Sequence, residues 1–129
     1  GLPLVASFSF DQGTRTMMGL SATDVVAATK PLGLAALGAN CGRSLADTDT
    51  MVTELLAAAP SVPLWVKPNA GVPRMVGDTV IYDADPATLG EHVAAYADRG
   101  ARIVGGCCGS TPEHVAAIAR ALGRPVAAY

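Results

Sequence analysis

The sequence predicts an α/β fold made of four successive strand–helix units. Short apolar runs that could be strands alternate with segments of helical period, each with a recognisable start or stop. Composition agrees: hydrophobic residues make up 50% of the 129 positions, with only two Phe, one Trp and three Tyr among them. Ala and Gly dominate, which suits helices packed closely on a sheet. The strand runs lack alternation, as expected of strands covered on both faces.

Pro3–Ser9 is the first run, with Leu4, Val5 and Phe8 as its β-favouring members, and a Gly-containing loop follows. Ser21 opens a helix with Asp24 three residues on, in a capping-box arrangement, and Lys30-Pro31 ends it. Leu34–Ala39 is the second strand, closed by Asn40-Cys41-Gly42. A helix then covers about Ala46–Ala59, with Met51, Leu55 and Ala58 on one face and Pro60 as its stop. Val62–Lys67 is the third strand and runs into a long loop from Pro68 to Ala84. Asp85-Pro86 supplies a cap and a first-turn proline for a helix with Leu89, Val93 and Tyr96 on one face, ending at Gly100. Arg102–Gly106 is the fourth strand. Ser110-Thr111-Pro112-Glu113 starts the last helix, where Val115, Ile118 and Leu122 recur at helical spacing.

A chain of this length makes one domain. Nine basic and eleven acidic residues give a net charge of −2, and they are scattered. Without a basic cluster to neutralise phosphates, nucleic acid is not an expected partner. The apolar runs fall short of the roughly 20 residues that span a bilayer, so no membrane partner is expected either. Gly1-Leu2-Pro3-Leu4-Val5-Ala6 has no basic n-region, so a secretory leader is not read and a cytoplasmic setting is expected. Glycine in first place, where a Met would start translation, points to a processed or excised end.

Four βα units of about 30 residues fit either a small doubly wound sheet or half of a (βα)₈ barrel. Neither a Gly-x-Gly-x-x-Gly after the first strand nor a Walker-type loop is present, which weakens the nucleotide-binding alternative. Chemistry collects instead at strand C-terminal ends, the barrel face where active sites are built. Cys41 ends the second strand and Cys107-Cys108 the fourth. Adjacent cysteines close only a strained ring, so a disulfide framework is a poor reading. Gly105, Gly106 and Gly109 would permit the dihedrals that aim two successive side chains at one point. Three thiolates leave one tetrahedral position open, the mark of a catalytic zinc, and thiolates favour zinc or copper(I) over magnesium. On spacing alone, a metal site, a redox pair and inert buried thiols all stay open.

Three stretches carry a resemblance. Gly38-Ala39-Asn40-Cys41, Lys67-Pro68-Asn69-Ala70-Gly71-Val72-Pro73 and Gly105 to His114 (Gly-Gly-Cys-Cys-Gly-Ser-Thr-Pro-Glu-His) resemble successive motifs of the homocysteine S-methyltransferase family. Phe10-Asp11 through Arg15-Thr16-Met17-Met18-Gly19 is similar to the loop after that family's fifth strand. The resemblance implies a (βα)4 half of a TIM (βα)8 barrel, strands five to eight, with residues 1–129 forming the C-terminal half of a homocysteine-binding barrel domain. The family's early Asp-Gly-x-Met-Gly-Thr-like motif and its mid-barrel acidic residue are missing, so the full substrate site does not carry over.

What carries over is the ligand set: zinc (Zn2+) held by Cys41, Cys107 and Cys108. A homocysteine thiol in the open position would lose its proton and attack an activated methyl group, giving methionine. The implied partners are homocysteine and a methyl donor, whether an ammonium or sulfonium compound or a methylated corrinoid. The wording leans slightly toward stand-alone members of the betaine type. Asn40 and Asn69 stand at strand ends beside the metal, as braces for the cysteines or substrate-binding groups, or simply as turn formers. His114 is expected at the surface of the last helix, with a role as fourth ligand the lesser alternative. His92 reads as structural and Tyr82 as a loop tyrosine, with contact to a donor cation the lesser alternative. A half-barrel also implies assembly, as a homodimer or with an N-terminal half-barrel, because its end strands and inner face would otherwise lie open. A non-catalytic zinc-binding half-barrel is the alternative function.

Overall fold

The computed structural model describes residues 1–58 and 60–126. Its elements are β1 (Val5–Ser9), α1 (Ala22–Thr29), β2 (Ala36–Cys41), α2 (Leu45–Ala57), β3 (Leu64–Pro68), β4 (Pro73–Val76), β5 (Thr79–Tyr82), α3 (Pro86–Arg99), β6 (Ile103–Val104) and α4 (Pro112–Ala121).

The local signals act as their chemistry requires. Asp24 Oδ2 accepts from the Ser21 amide at 2.8 Å, and Ser21 Oγ accepts from the Asp24 amide at 3.2 Å, closing the capping box of α1. Ser44 caps α2 by accepting from the Asp47 amide, which starts that helix one residue before the expected Ala46. Its expected last residue, Ala59, lies outside the described residues. Asp85 Oδ1 accepts from the Thr88 amide at 2.8 Å and Pro86 opens α3, which Gly100 ends at φ 122°.

β1, β2, β3 and β6 form one parallel sheet in that order. A doubly wound sheet reverses its strand order at a switch point, and this one does not. The result is a mixed α/β fold with helices on a parallel sheet, consistent with part of an α/β barrel. β6 is short, but the ladder extends past it: Arg102 N donates to Leu64 O and Gly105 N to Val66 O.

Register sorts the side chains by face. Leu37 pairs with Leu64 and Ala39 with Val66, and all four are buried in one core with Met51, Val52 and Leu55 of α2, Leu89, Val93 and Tyr96 of α3, and Ile118 of α4. The opposite face carries Ser7, Gly38, Asn40, Trp65 and Lys67. Val5 and Trp65 therefore belong to that face, whereas Leu37 and Val104 pack toward the helices. Gly38 is required by close approach, since a Cβ there would lie 2.8 Å from the Trp65 carbonyl oxygen. Lys67 Nζ stands 3.9 Å from the centre of the Trp65 ring. Among the described residues β1 pairs only with β2 and β6 only with β3, so each leaves one edge free.

The expected long loop is largely a β-hairpin. β4 and β5 pair antiparallel from Pro73↔Tyr82 to Val76↔Thr79. Gly77, at φ 59°, makes the two-residue turn with Asp78. Met75, Val76 and Val80 on the hairpin are exposed, so the segment lacks the buried, alternating face by which a strand is read from sequence.

Candidate metal centre

The C-terminal ends of β2 and β3 and the segment following β6 bring three sulfurs together. Cys41 Sγ lies 3.3 Å from Cys107 Sγ, and the Sγ atoms of Cys41, Cys107 and Cys108 all lie within 4.8 Å of one another. A disulfide needs about 2.05 Å, so the closest pair is unbonded. Tetrahedral thiolate coordination at about 2.3 Å separates sulfurs by roughly 3.8 Å, which the observed spacing brackets. The donor set and its spacing fit a thiophilic metal with a position to spare.

The backbone accounts for this convergence, partly in ways not anticipated. Cys41 is in the left-handed region at φ 61°, the one non-glycine there among the described residues, and Gly42 follows at φ 89°. For a residue with a Cβ that conformation is strained, and it redirects the side chain at the end of the strand. Of the glycines around the cysteine pair only Gly109 has positive φ, at 77°. Gly105 does not need such dihedrals, and Gly106 serves packing, since a Cβ there would overlap Ser110 Oγ. Cys107 N donates to Pro68 O at 2.8 Å and Ser110 N to Cys107 O at 3.2 Å, fixing the turn on β3.

Both asparagines lie at the cluster. Asn40 Nδ2 donates to Cys41 Sγ at 3.3 Å and to Ser9 Oγ at 3.0 Å, while its Oδ1 accepts from Ser7 Oγ at 2.6 Å. Asn69 Oδ1 accepts from the Cys108 amide at 3.1 Å, and its Nδ2 donates to Gly42 O at 3.0 Å. Asn69 thus ties the two cysteine-bearing turns together. Ser7 and Ser9 were not singled out in the sequence; their two-residue spacing on one strand face was the available signal.

Burial pushes the Cys41 thiol up, but the Asn40 amide and then Cys107 as hydrogen-bond partners outweigh it, leaving Cys41 below the ordinary thiol range. Cys107 is pushed up to about 11, by burial first and then by Cys41 beside it.

His114 is buried, contrary to the expected surface position, and it is no part of the cluster. Its Nδ1 accepts from the Thr111 amide at 3.1 Å and its Nε2 faces Ala84 O at 3.0 Å, so both ring nitrogens are engaged in joining α4 to the chain before α3. His92 is structural as expected, with Nδ1 2.9 Å from Asp49 Oδ1 on α2. Tyr82 is not a free loop tyrosine: it is half-buried against the core, and its ring occupies the space a side chain at Gly109 would need. A separate cavity of about 330 Å³ between α1 and the loop before β3 is lined by Val26, Leu34, Leu37 and Val62 and contains no cluster residue. No helix among the described residues is long and apolar enough to cross a membrane.

Sheet and cluster together define an α/β protein with a trio of thiols, able to hold a metal, at the C-terminal ends of its strands. The homocysteine S-methyltransferase family model matches residues 1–122, and the chain belongs to that family. It is 32% identical over 124 residues to the methionine synthase of Mycobacterium leprae (strain TN), covering 95% of this chain and 10% of that protein. To the methionine synthase of Mycobacterium tuberculosis (strain ATCC 25618 / H37Rv) it is 31% identical over 122 residues, covering 94% and 10%. The chain thus spans about a tenth of the length of these curated relatives, and neither is named for betaine, toward which the wording of the sequence leaned.

Proposed function

We propose that residues 1–129 are the C-terminal half, strands five to eight, of a homocysteine-binding (βα)₈ barrel, and that Cys41, Cys107 and Cys108 hold zinc for methyl transfer to homocysteine. The convergence of three sulfurs at one end of a parallel sheet carries this reading. Zinc bound there would supply a Lewis acid that keeps a substrate thiol ionised at neutral pH.

The chain's own residues set the conditions. Asn40 braces Cys41 from the face of Ser7 and Ser9, and Asn69 holds the backbone of Cys108. Such outer contacts orient ligands and commonly govern metal affinity. Three thiolates make the site electron-rich, which preserves the nucleophilicity of a fourth sulfur. The remaining substrate contacts come from a complementing half that meets the free edges of β1 and β6 and the face carrying Trp65 and Lys67. That half is either an N-terminal half-barrel or, in a homodimer, a second copy.

The deciding experiment is a zinc-edge absorption spectrum of the assembled protein with and without homocysteine. Gain of a fourth sulfur supports the reading, and an unchanged three-sulfur shell sinks it. The free strand edges favour one second reading, a non-catalytic zinc-binding half-barrel. Zinc binding without methyl transfer, in the presence of a complementing half and a donor, would select it.

A further inference from the structure

We propose that Lys67 is the carboxylate receptor of the site: its ammonium selects an amino-acid thiol over a simple thiol by pairing with the substrate's carboxylate, on the sheet face opposite the helices. This rests on the metal-site reading above and adds a specificity-determining residue to it.

The sheet puts a single charge on that face. The paired strand positions there include Ser7, Gly38, Asn40, Trp65 and Ile103, and Lys67 is the only charged residue among them. Lys67 is half-buried. Among the described residues its ammonium has no ion-pair partner, since the ion pairs present join His92 and Arg99 to Asp49. It rests instead on the Trp65 indole, with Nζ 3.9 Å from the ring centre. A ring face is a weak substitute for a counter-ion. Covering this face would take the ammonium out of water, where a charge requires an opposite partner. No paired strand position on the face supplies one, and a second copy of the face would bring another ammonium. The anion therefore comes from elsewhere, and a substrate carboxylate answers Lys67 in either assembly.

Position favours the substrate as its source. Lys67 pairs with Asn40, and the next residue, Pro68, pairs with Cys41. Asn40 Nδ2 in turn donates to Cys41 Sγ at 3.3 Å. The ammonium, drawn back over Trp65, lies one to three strand residues below the level of Cys41, roughly 3–10 Å at about 3.3 Å per residue. Three carbons join the sulfur of homocysteine to its carboxylate, a span within that range. There is room on the β6 side, because a Cβ at Gly105 would meet only Lys67 Cγ, at 3.8 Å. With the substrate sulfur on the metal, the carboxylate would draw Nζ off the indole into a charge-assisted hydrogen bond.

The test uses the intact chain loaded with cobalt(II) as a spectroscopic stand-in for zinc. Homocysteine and the aminopropanethiol that is homocysteine without its carboxyl group are titrated in separately, and binding is read from growth of the thiolate-to-cobalt band. Wild type should bind homocysteine about tenfold more tightly, the low end for a hydrogen bond between charged groups. Lys67→Met keeps the length of the stem and should bind the two thiols within about twofold of each other. Lys67→Arg should restore most of the preference, and comparison across variants cancels the difference in acidity between the thiols. Trp65, the one tryptophan of the chain, gives a second readout in the zinc-loaded protein. Its emission should change when homocysteine is added to wild type, and stay unchanged with the aminopropanethiol or in Lys67→Met. Equal affinity of wild type for the two thiols, or a preference undiminished in Lys67→Met, would overturn the role of Lys67 and leave the metal site standing. It would point to a carboxylate of the complementing half as the partner of the ammonium. Absence of a thiolate-to-cobalt band in wild type before any thiol is added would overturn both readings.

Discussion

Cys41 Sγ and Cys107 Sγ lie 3.3 Å apart although 66 positions separate them in the chain. The contact is made by two turns at one end of a parallel sheet, β3 lying between them and accepting the Cys107 amide at Pro68 O. Neither sulfur has moved into bonding distance of the other, and the third stands close by. Several outcomes are expected from that arrangement.

Wild type prepared under reducing conditions should contain one zinc per complete site, and Cys107→Ala should lose it. Metal analysis after dialysis against a weak chelator checks this. Equal zinc in both proteins, or none in wild type, would refute the ligand assignment.

In metal-free protein the two half-buried thiols should react in order of acidity. Cys41 lies below the ordinary thiol range and Cys107 is pushed up to about 11. The thiolate is the nucleophile, so as pH rises alkylation should reach Cys41 first, with Cys107 lagging until strongly alkaline pH. Mass spectrometry of iodoacetamide-labelled peptides across a pH series reads the order directly. Cys107 labelled ahead of Cys41 would contradict it.

Asn40→Ala removes three side-chain contacts at once, to Ser7, Ser9 and Cys41. Stability should fall by about 1–3 kcal/mol. The pH at which Cys41 becomes reactive should rise, because its amide donor is gone. Urea unfolding and the same alkylation series measure the two effects; unchanged Cys41 reactivity would show that the amide does not tune the thiol.

His114→Ala should destabilise the fold by about 1–3 kcal/mol, since it leaves the Thr111 amide without its acceptor and Ala84 O without its ring partner. Zinc content in the folded fraction should stay at the wild-type value. A selective loss of zinc would instead place this histidine among the ligands.

The isolated chain should not behave as a simple monomer. β1 and β6 each leave an edge free among the described residues, and Val5 and Ile103 on those edge strands are exposed. Sedimentation at micromolar concentration should show a dimer or larger species, or an apolar dye should bind strongly. A cooperative monomer that binds no dye would argue against the half-barrel account.

The sequence by itself determined the four strand–helix units, the caps at Ser21 and Asp85, and the position of Cys41 at the end of the second strand with Cys107 and Cys108 shortly after the last. Each of these is local: a cap is read three residues away, and a helix face repeats within a turn. It also made the family legible, because Gly38–Cys41 and Gly105–His114 are contiguous stretches. Only the tertiary structure decided which neighbour each strand has and which residues face the helices. It alone showed that Cys41 itself takes a left-handed conformation, that Asn40 spans to Ser7 and Ser9, and that His114 is buried. The hairpin at Pro73–Tyr82, too, and the seating of Tyr82 on Gly109 emerged only there. Apart from the hairpin, whose strands are exposed and carry no buried face, these are contacts between positions tens of residues apart, or conformations imposed by such contacts. No local periodicity encodes them, since their free energy exists only once the sheet has brought the partners together.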